Sequence, residues 1–317
     1  MVVPTYNGER FLENTLESLA RQVDVDLEIL VVDDGSSDRS AEIAAAHPAV
    51  ARVLRQANQG VAVARNKGAA VATGRFVAFL DQDDLWHPAR ASLLLDLART
   101  TGALAVGTTE YPFARSVDRS ALEAVGDGRH TWPAQWVDEE SEVEALLEVP
   151  VDSLKGTGDL EELRVERFMS GPAAITTSFM YERDLYAKAG GCAPWVKAAD
   201  DHVLNTCVAK IQGVIPRIDV PCLFYRVHPA STSTVSPLVA PYLSMLLALR
   251  WGRVLPGESQ DSDYVRHLLG QMPGSTLSLT EQVAMVWLTV PKERRTRAVG
   301  RLLKRHLGDA RRSASTR

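Results

Sequence analysis

Cysteine, aromatic residues and long apolar runs are all scarce in this 317-residue sequence. The three cysteines, Cys192, Cys207 and Cys222, are odd in number, widely spaced and without a CxxC pair. They suggest no disulfide framework, and a reducing, cytoplasmic setting is expected. The most apolar windows, around Tyr242–Leu249 and Val283–Val290, fall well short of the ~20 residues that span a bilayer. The N-terminal MVVPTYNGER has no basic segment leading into an apolar stretch, so no signal peptide is expected. Positive charge is lacking overall, with a formal net charge of -5, which argues against a nucleic-acid partner. No GxGxxG follows the first apolar run, against a dinucleotide-binding dehydrogenase. No internal repeat is present.

What is there is an ordinary globular composition, 45% hydrophobic and 24% charged, with charge unevenly placed. Between Glu110 and Arg167 stand 15 acids against 6 bases, and between Pro291 and Arg317 10 bases against 2 acids. In the first hundred residues, short apolar segments alternate with helical spacing. Met1–Val3, LEILVVDD, Val53–Leu54, Arg75–Leu80 and Gly102–Thr108 read as strands. Phe11–Ala20, the segment behind GSSD with a Ser cap, Gly60–Ala72 and Pro88–Thr101 read as helices. Strands apolar on both faces, alternating with helices, imply an α/β fold with a mainly parallel, Rossmann-like sheet. The charged stretch 110–167 reads as a variable insertion with some helix. AAITTSFMYERDLYAKAGG then gives a strand and short helix, DDHVLNTCVAKIQG a helix, and VIPRIDVPCLFYRVHP two strands. From Ser236 the pattern is helical. The expected units are 1–109, 110–235 and a helical C-terminal extension, 236–317.

Ligands on such sheets bind beyond the carboxyl ends of the strands, where Asp33–Asp34 and Asp81–Asp84 both fall. Asp81 and Asp83, two positions apart at a strand end, should share a face and suit a hard divalent cation that also carries phosphate oxygens. A solvated acidic turn is the bland alternative. Asp33 and Asp34 can accept hydrogen bonds from a base or ribose, although helix-cap chemistry explains the serines behind them. Asp200–Asp201 opens a helix and either complements its positive end or supplies a general base. YRVHPAS offers Arg226 for phosphate and His228 for a metal, against the plain reading of a surface loop.

Taken in order, PTYN, VVDDGSSD, NQGVAVARNKG, FLDQDD, GG…ADDHVL and YRVHPAS resemble the family 2 glycosyltransferases of GT-A fold, over roughly residues 1–233. The resemblance implies an inverting, metal-dependent transfer from a nucleotide-diphospho-sugar, with a UDP-sugar first. Pro4, Thr5, Tyr6 and Glu9 match positions that hold base and ribose. Asp34 matches the acid on the base, with Asp33 beside it, and Arg65, Asn66, Gln82 and Arg226 match the donor side. Asp83, Asp81 and His228 match the site of a divalent cation, Mn²⁺ or Mg²⁺. Asp201 matches the base, with Asp200 where Glu is commoner. The implied acceptor is a glycan, a lipid-linked sugar or a small molecule, in surface-glycan or other glycoconjugate synthesis. Stretch 110–167 matches no motif of the family, and acceptor choice is expected there.

A basic amphipathic stripe, Val299, Leu302, Leu303 and Leu307, either lies peripherally on a membrane or packs on the catalytic domain. The rival readings are a catalytically inactive glycan- or partner-binding protein and a metal-dependent nucleotidyltransferase. The latter would want a Gly-rich basic phosphate loop, which PTYNGER does not provide.

Overall fold

Val2 and Val3, neighbours in sequence, are buried in different cores, because successive strand side chains point to opposite faces. Leu30 and Val32 oppose Val31 in the same way, and Phe79 opposes Leu80. Each of these strands is covered on both faces, and complete burial of one such side chain stabilises the fold by about 1.5–3 kcal/mol. The computed structural model describes residues 1–125, 133–138, 140–154, 156–169, 175–194 and 200–231, with 296, 299 and 300.

The alternating part runs β1 (Val2–Thr5), α1 (Leu12–Ala20), β2 (Ile29–Asp33), α2 (Ser40–Ala46), β3 (Val50–Arg55), α3 (Val61–Val71), β4 (Phe76–Ala78), β5 (Leu85–Trp86) and α4 (Arg90–Thr101). There follow β6 (Ala105–Arg115), α5 (Arg119–Val125), β7 (Gln135–Val137), α6 (Glu140–Leu147), β8 (Leu160–Leu163) and α7 (Val165–Met169). The last described elements are β9 (Phe179–Glu182), α8 (Arg183–Lys188), α9 (Asp200–Gln212) and β10 (Ile215–Arg226). Strands β1, β2 and β3 pair in parallel. A parallel bridge between Val2 and Phe79 joins them to the second sheet. The carboxyl ends of β1, β2 and the β4 segment therefore share one edge, and this brings Thr5, Asp33 and Asp81 together.

Beyond β4 the sheet is mixed rather than parallel, in the order β4-β9-β6-β10-β5. Among the described residues only β6 with β10 and with β7 pair in parallel there. The two strands expected in VIPRIDVPCLFYRVHP are one strand, β10, with a register shift between Ile218 and Leu223. Pro221 lies in that interval and has no N–H for the ladder. Strand β6 runs through the boundary expected at 109, because Phe113 is fully buried among Leu85, Val137 and Phe224. Helix α6 adds Val143, Leu146 and Leu147 to the same cluster, so the acidic stretch is partly built into the core.

Contacts divide the chain into one unit of Met1–Phe168 with Pro172–Ser236, and another of Met169–Gly171 with Pro237–Arg317. The first carries every element above except the last residue of α7. Of the expected C-terminal helices only residues 296, 299 and 300 are described, all three helical, and the stripe residues Leu302, Leu303 and Leu307 lie outside the described residues. Among the described residues no helix is long and apolar enough to cross a membrane.

Helix α3 sits close on β1 because it has Gly68 at the contact. A methyl group there would stand 2.3 Å from Val2 Cγ1 and 2.9 Å from Cγ2. Val2 is β-branched and fully buried, so it has nowhere to turn. Gly68→Ala should lower stability by about 1–3 kcal/mol in a denaturant titration, and Val2→Ala in the same chain should recover part of that loss.

Candidate active site

The acidic segment after β4 is a turn, not a strand end: the strand stops at Ala78, and Asp84 N–H donates to Asp81 O at 3.2 Å. Alternation therefore does not place Asp81 and Asp83 on one face as expected. Carboxylates this close repel unless compensated, and the turn sends each to its own partner. Asp81 Oδ1 accepts from Arg65 Nη2 at 2.6 Å, and Asp83 Oδ2 lies 2.9 Å from His228 Nε2. Gln82 turns toward β1, where its Oε1 accepts from Thr5 Oγ1 at 2.7 Å and from Tyr6 N–H at 2.8 Å. Pro4 is buried within β1 opposite Val32, and the Tyr6 ring is left 48% exposed at this edge.

Asp33 and Asp34 are both buried, and both hold loops. Asp33 Oδ1 accepts from Ser36 N–H at 3.1 Å, and its Oδ2 is 3.4 Å from Arg55 Nε. Asp34 Oδ1 accepts from Gln56 Nε2 and Gln59 N–H, and Oδ2 from Gly60 N–H, which fixes the loop entering α3. A nucleobase would share these oxygens with the loop. The expected serine cap of α2 is absent: its N-cap position is Arg39, which makes no side-chain cap bond, and Asp38 just before it accepts from Ser40 N–H. Ser36 Oγ and Ser37 N–H instead pair with Asn7. Glu9 ties the same two loops, Oε2 accepting from Arg39 N–H. Asn66 does not face this edge: it pairs with Cys192 N–H, Cys192 O and Tyr186 O–H.

Arg65 joins the two acidic segments. Its second nitrogen, Nη1, donates to Asp200 Oδ2 at 3.1 Å, and both side chains are almost fully buried. Asp200 thus has a fixed cationic partner. Asp201, partly exposed, accepts only from His202 N–H at 2.7 Å among the described residues. Desolvation, reinforced by the neighbouring Asp200 charge, pushes the Asp201 carboxyl up to about 7, although Arg65 opposes the shift. An acid that exchanges its proton near neutrality is well matched to general base work.

Two organising residues, Thr15 and Phe11, belong to no motif that the sequence singles out, and a third, Asp84, closes the FLDQDD motif without a role assigned to it. Thr15, on the buried face of α1, donates to the carbonyls of both Gln82 and Asp84. Asp84 Oδ1 accepts from Arg226 N–H at 2.9 Å, and burial together with the Asp83 and Asp81 charges holds Asp84 well above the usual carboxylate range. Phe11 faces the Arg226 guanidinium at 4.6 Å, with Phe113 at 4.7 Å, and tilts against the His228 ring. Arg226 Nε donates to Asp83 O, so β10 locks the acidic turn. For Thr15 the available signal is its position in the apolar periodicity of α1. Nothing local points to the ring contacts.

Among the described residues no three acidic, histidine or cysteine side chains form a ready-made cation cage. The donor set nevertheless fits a hard divalent ion held jointly with a phosphate: Asp83 carboxylate and His228 imidazole already touch, and Asp81 is 35% exposed beside them.

Residues 1–148 match the family described as Glycosyl transferase family 2. Over these residues, just under half of its length, the chain is similar to that family. The uncharacterized glycosyltransferase EpsJ of Bacillus subtilis is 29% identical over 239 residues, 74% of this chain and 62% of that protein. The chain therefore spans less than two thirds of this relative's length. Of solved structures, S. aureus TarS 1-349 in complex with UDP-GlcNAc superposes with a TM-score of 0.64 at 17% identity, over 94% of this chain and 82% of that one. The mannosyltransferase PcManGT from Pyrobaculum calidifontis, in complex with GDP-Man and Mn²⁺, gives 0.52 at 18%, over 97% and 74%. At these identities the likeness establishes the fold, GT-A. The family 2 match includes Thr5 to Asp84, whereas Asp200, Asp201, Arg226 and His228 lie beyond it.

Proposed function

We propose that this protein moves a sugar from a nucleotide-diphospho-sugar to an acceptor hydroxyl with inversion. The observation that carries the reading is the link Asp81–Arg65–Asp200, which sets a partly exposed carboxylate of raised pKa, Asp201, beside the acidic turn. In this reading Thr5, Tyr6, Asp33, Asp34 and the Gln82-ordered loop hold the nucleoside, and Arg226 helps fix the turn that receives the diphosphate. A divalent ion held by Asp83, Asp81 and His228 would supply charge neutralisation on the departing diphosphate. Asp201 takes the acceptor hydroxyl proton as that oxygen bonds the anomeric carbon. The bond to the diphosphate oxygen breaks on the opposite face and its electron pair leaves with the nucleotide. One displacement needs one base and no enzyme nucleophile, and it inverts the anomeric centre. UDP is favoured as the nucleotide, since TarS was solved with UDP-GlcNAc and Asp34 suits hydrogen bonding to uracil. The acceptor is a glycan or related glycoconjugate met by the acidic 110–167 side.

Thermal unfolding with UDP, dTDP and GDP, each with and without Mn²⁺, tests the donor site. One nucleotide at a hundred times its dissociation constant should stabilise the fold by about 2.7 kcal/mol. No shift with any nucleotide would overturn the transferase reading in favour of a binding protein. Stabilisation by a nucleoside triphosphate alone would favour nucleotidyl transfer.

A further inference from the structure

Two adjacent residues of α3 grip the chain on either side of the approach to α9. Asn66 holds the turn at Gly191–Cys192 through three hydrogen bonds, from Cys192 N–H at 2.9 Å, to Cys192 O at 2.7 Å and from Tyr186 O–H at 2.6 Å. Gly191, at φ +66°, admits this approach, since a Cβ there would lie 2.5 Å from Asn66 Oδ1. Arg65 holds the first residue of α9, Asp200, and with its other nitrogen the acidic turn at Asp81. Helix α3 is itself seated on β1 through the Gly68–Val2 contact. The start of α9 is thereby referenced to the strand edge across 135 residues of sequence.

We infer that Arg65 is a positioning residue for the proposed transfer: it sets the distance between the base helix α9 and the metal–diphosphate turn by bridging Asp200 and Asp81. The inference rests on the transferase reading for its kinetic consequence but not for its geometry. Both Nη atoms are engaged by carboxylates, and Nε is buried without a hydrogen-bond partner among the described residues, so the guanidinium presents no outward fork to a sugar or phosphate. The planar guanidinium holds the two carboxylates in fixed directions from two separate nitrogens, whereas a lysine ammonium is a compact point charge on a flexible stem and does not impose that geometry. Without the cation, Asp200 and Asp81 repel and the base helix loses its reference to the donor.

The test compares wild type, Arg65→Lys and Arg65→Gln in sugar-nucleotide turnover and in amide hydrogen exchange. A misplacement of about 1 Å costs on the order of 100-fold in rate, so kcat should fall by about that factor in both variants. Donor KM should change by less than about threefold, because the Arg65 guanidinium bonds to protein carboxylates and not to the donor. Amides of residues 204–208 in α9 should exchange about tenfold faster, while those of α1 keep the wild-type rate. A large rise in donor KM with kcat retained, or α9 exchange equal to wild type, would overturn the proposal. A wild type without turnover on any sugar nucleotide would remove the transferase reading, and α9 exchange alone would then decide the role of Arg65.

Discussion

Asp201→Asn should lower turnover by about 10²–10⁴-fold, the usual contribution of a positioned base, while nucleotide-induced thermal stabilisation is retained. Amide and carboxylate have the same shape, so the hydrogen bond accepted from His202 N–H survives and α9 keeps its start. Wild-type turnover should fall as pH drops through about 7, where Asp201 gains its proton, and Asp201→Asn should lose this limb. The stability consequence has the opposite sign. A carboxyl whose folded pKa is raised binds more protons in the native than in the unfolded state between about 4 and 7, so its contribution destabilises as pH rises across that window. Asp201→Asn should therefore unfold at a higher temperature than wild type at pH 8, and the difference should vanish near pH 4. An active Asp201→Asn enzyme would move the base to Asp200, whose carboxylate is already held by Arg65.

Asp83→Ala is expected to abolish the Mn²⁺-dependent part of nucleotide stabilisation, about 2.7 kcal/mol at a hundred times the wild-type dissociation constant. Turnover should fall by on the order of 10²–10³-fold, as when one preorganised electrostatic group at developing charge is removed. The variant also leaves His228 Nε2 without its 2.9 Å partner. Arg226 keeps its bond to the backbone carbonyl at position 83, and Asp84 keeps its bond to Arg226 N–H, so the turn should stay in place. The ligand-free unfolding temperature provides the check: it should stay close to wild type while the metal-dependent shift disappears. A full Mn²⁺-dependent shift in Asp83→Ala would exclude that carboxylate from the metal site.

The divergent fates of Asp34, Asn66 and Arg65 show how far motif position reaches. By motif position all three belong to the donor side. Asp34 does stand at the strand edge, yet its oxygens are occupied by the amides of Gln59 and Gly60 and by the Gln56 side chain. Asn66 faces the Gly191–Cys192 turn, and Arg65 joins two acids, Asp81 and Asp200, that nothing in the sequence connects. Asp84 is visible as the third acid of its cluster, but its burial and its bond to Arg226, 142 residues away, leave no local trace.

The sequence by itself determined the elements of the first hundred residues other than β5, and the acidic segments that follow β2 and β4. Periodicity, runs of β-branched residues and turn chemistry act over a few residues, and the fully buried strands β1 and β2 leave a continuous apolar signature. Only the tertiary structure decided that β6 continues through Arg115, that β10 is one strand with its register shifted around Pro221, and which cation serves which carboxylate. Those outcomes depend on pairing between segments far apart in the chain. At such separations one residue type is compatible with many partners, and burial and charge compensation in the assembled fold select among them.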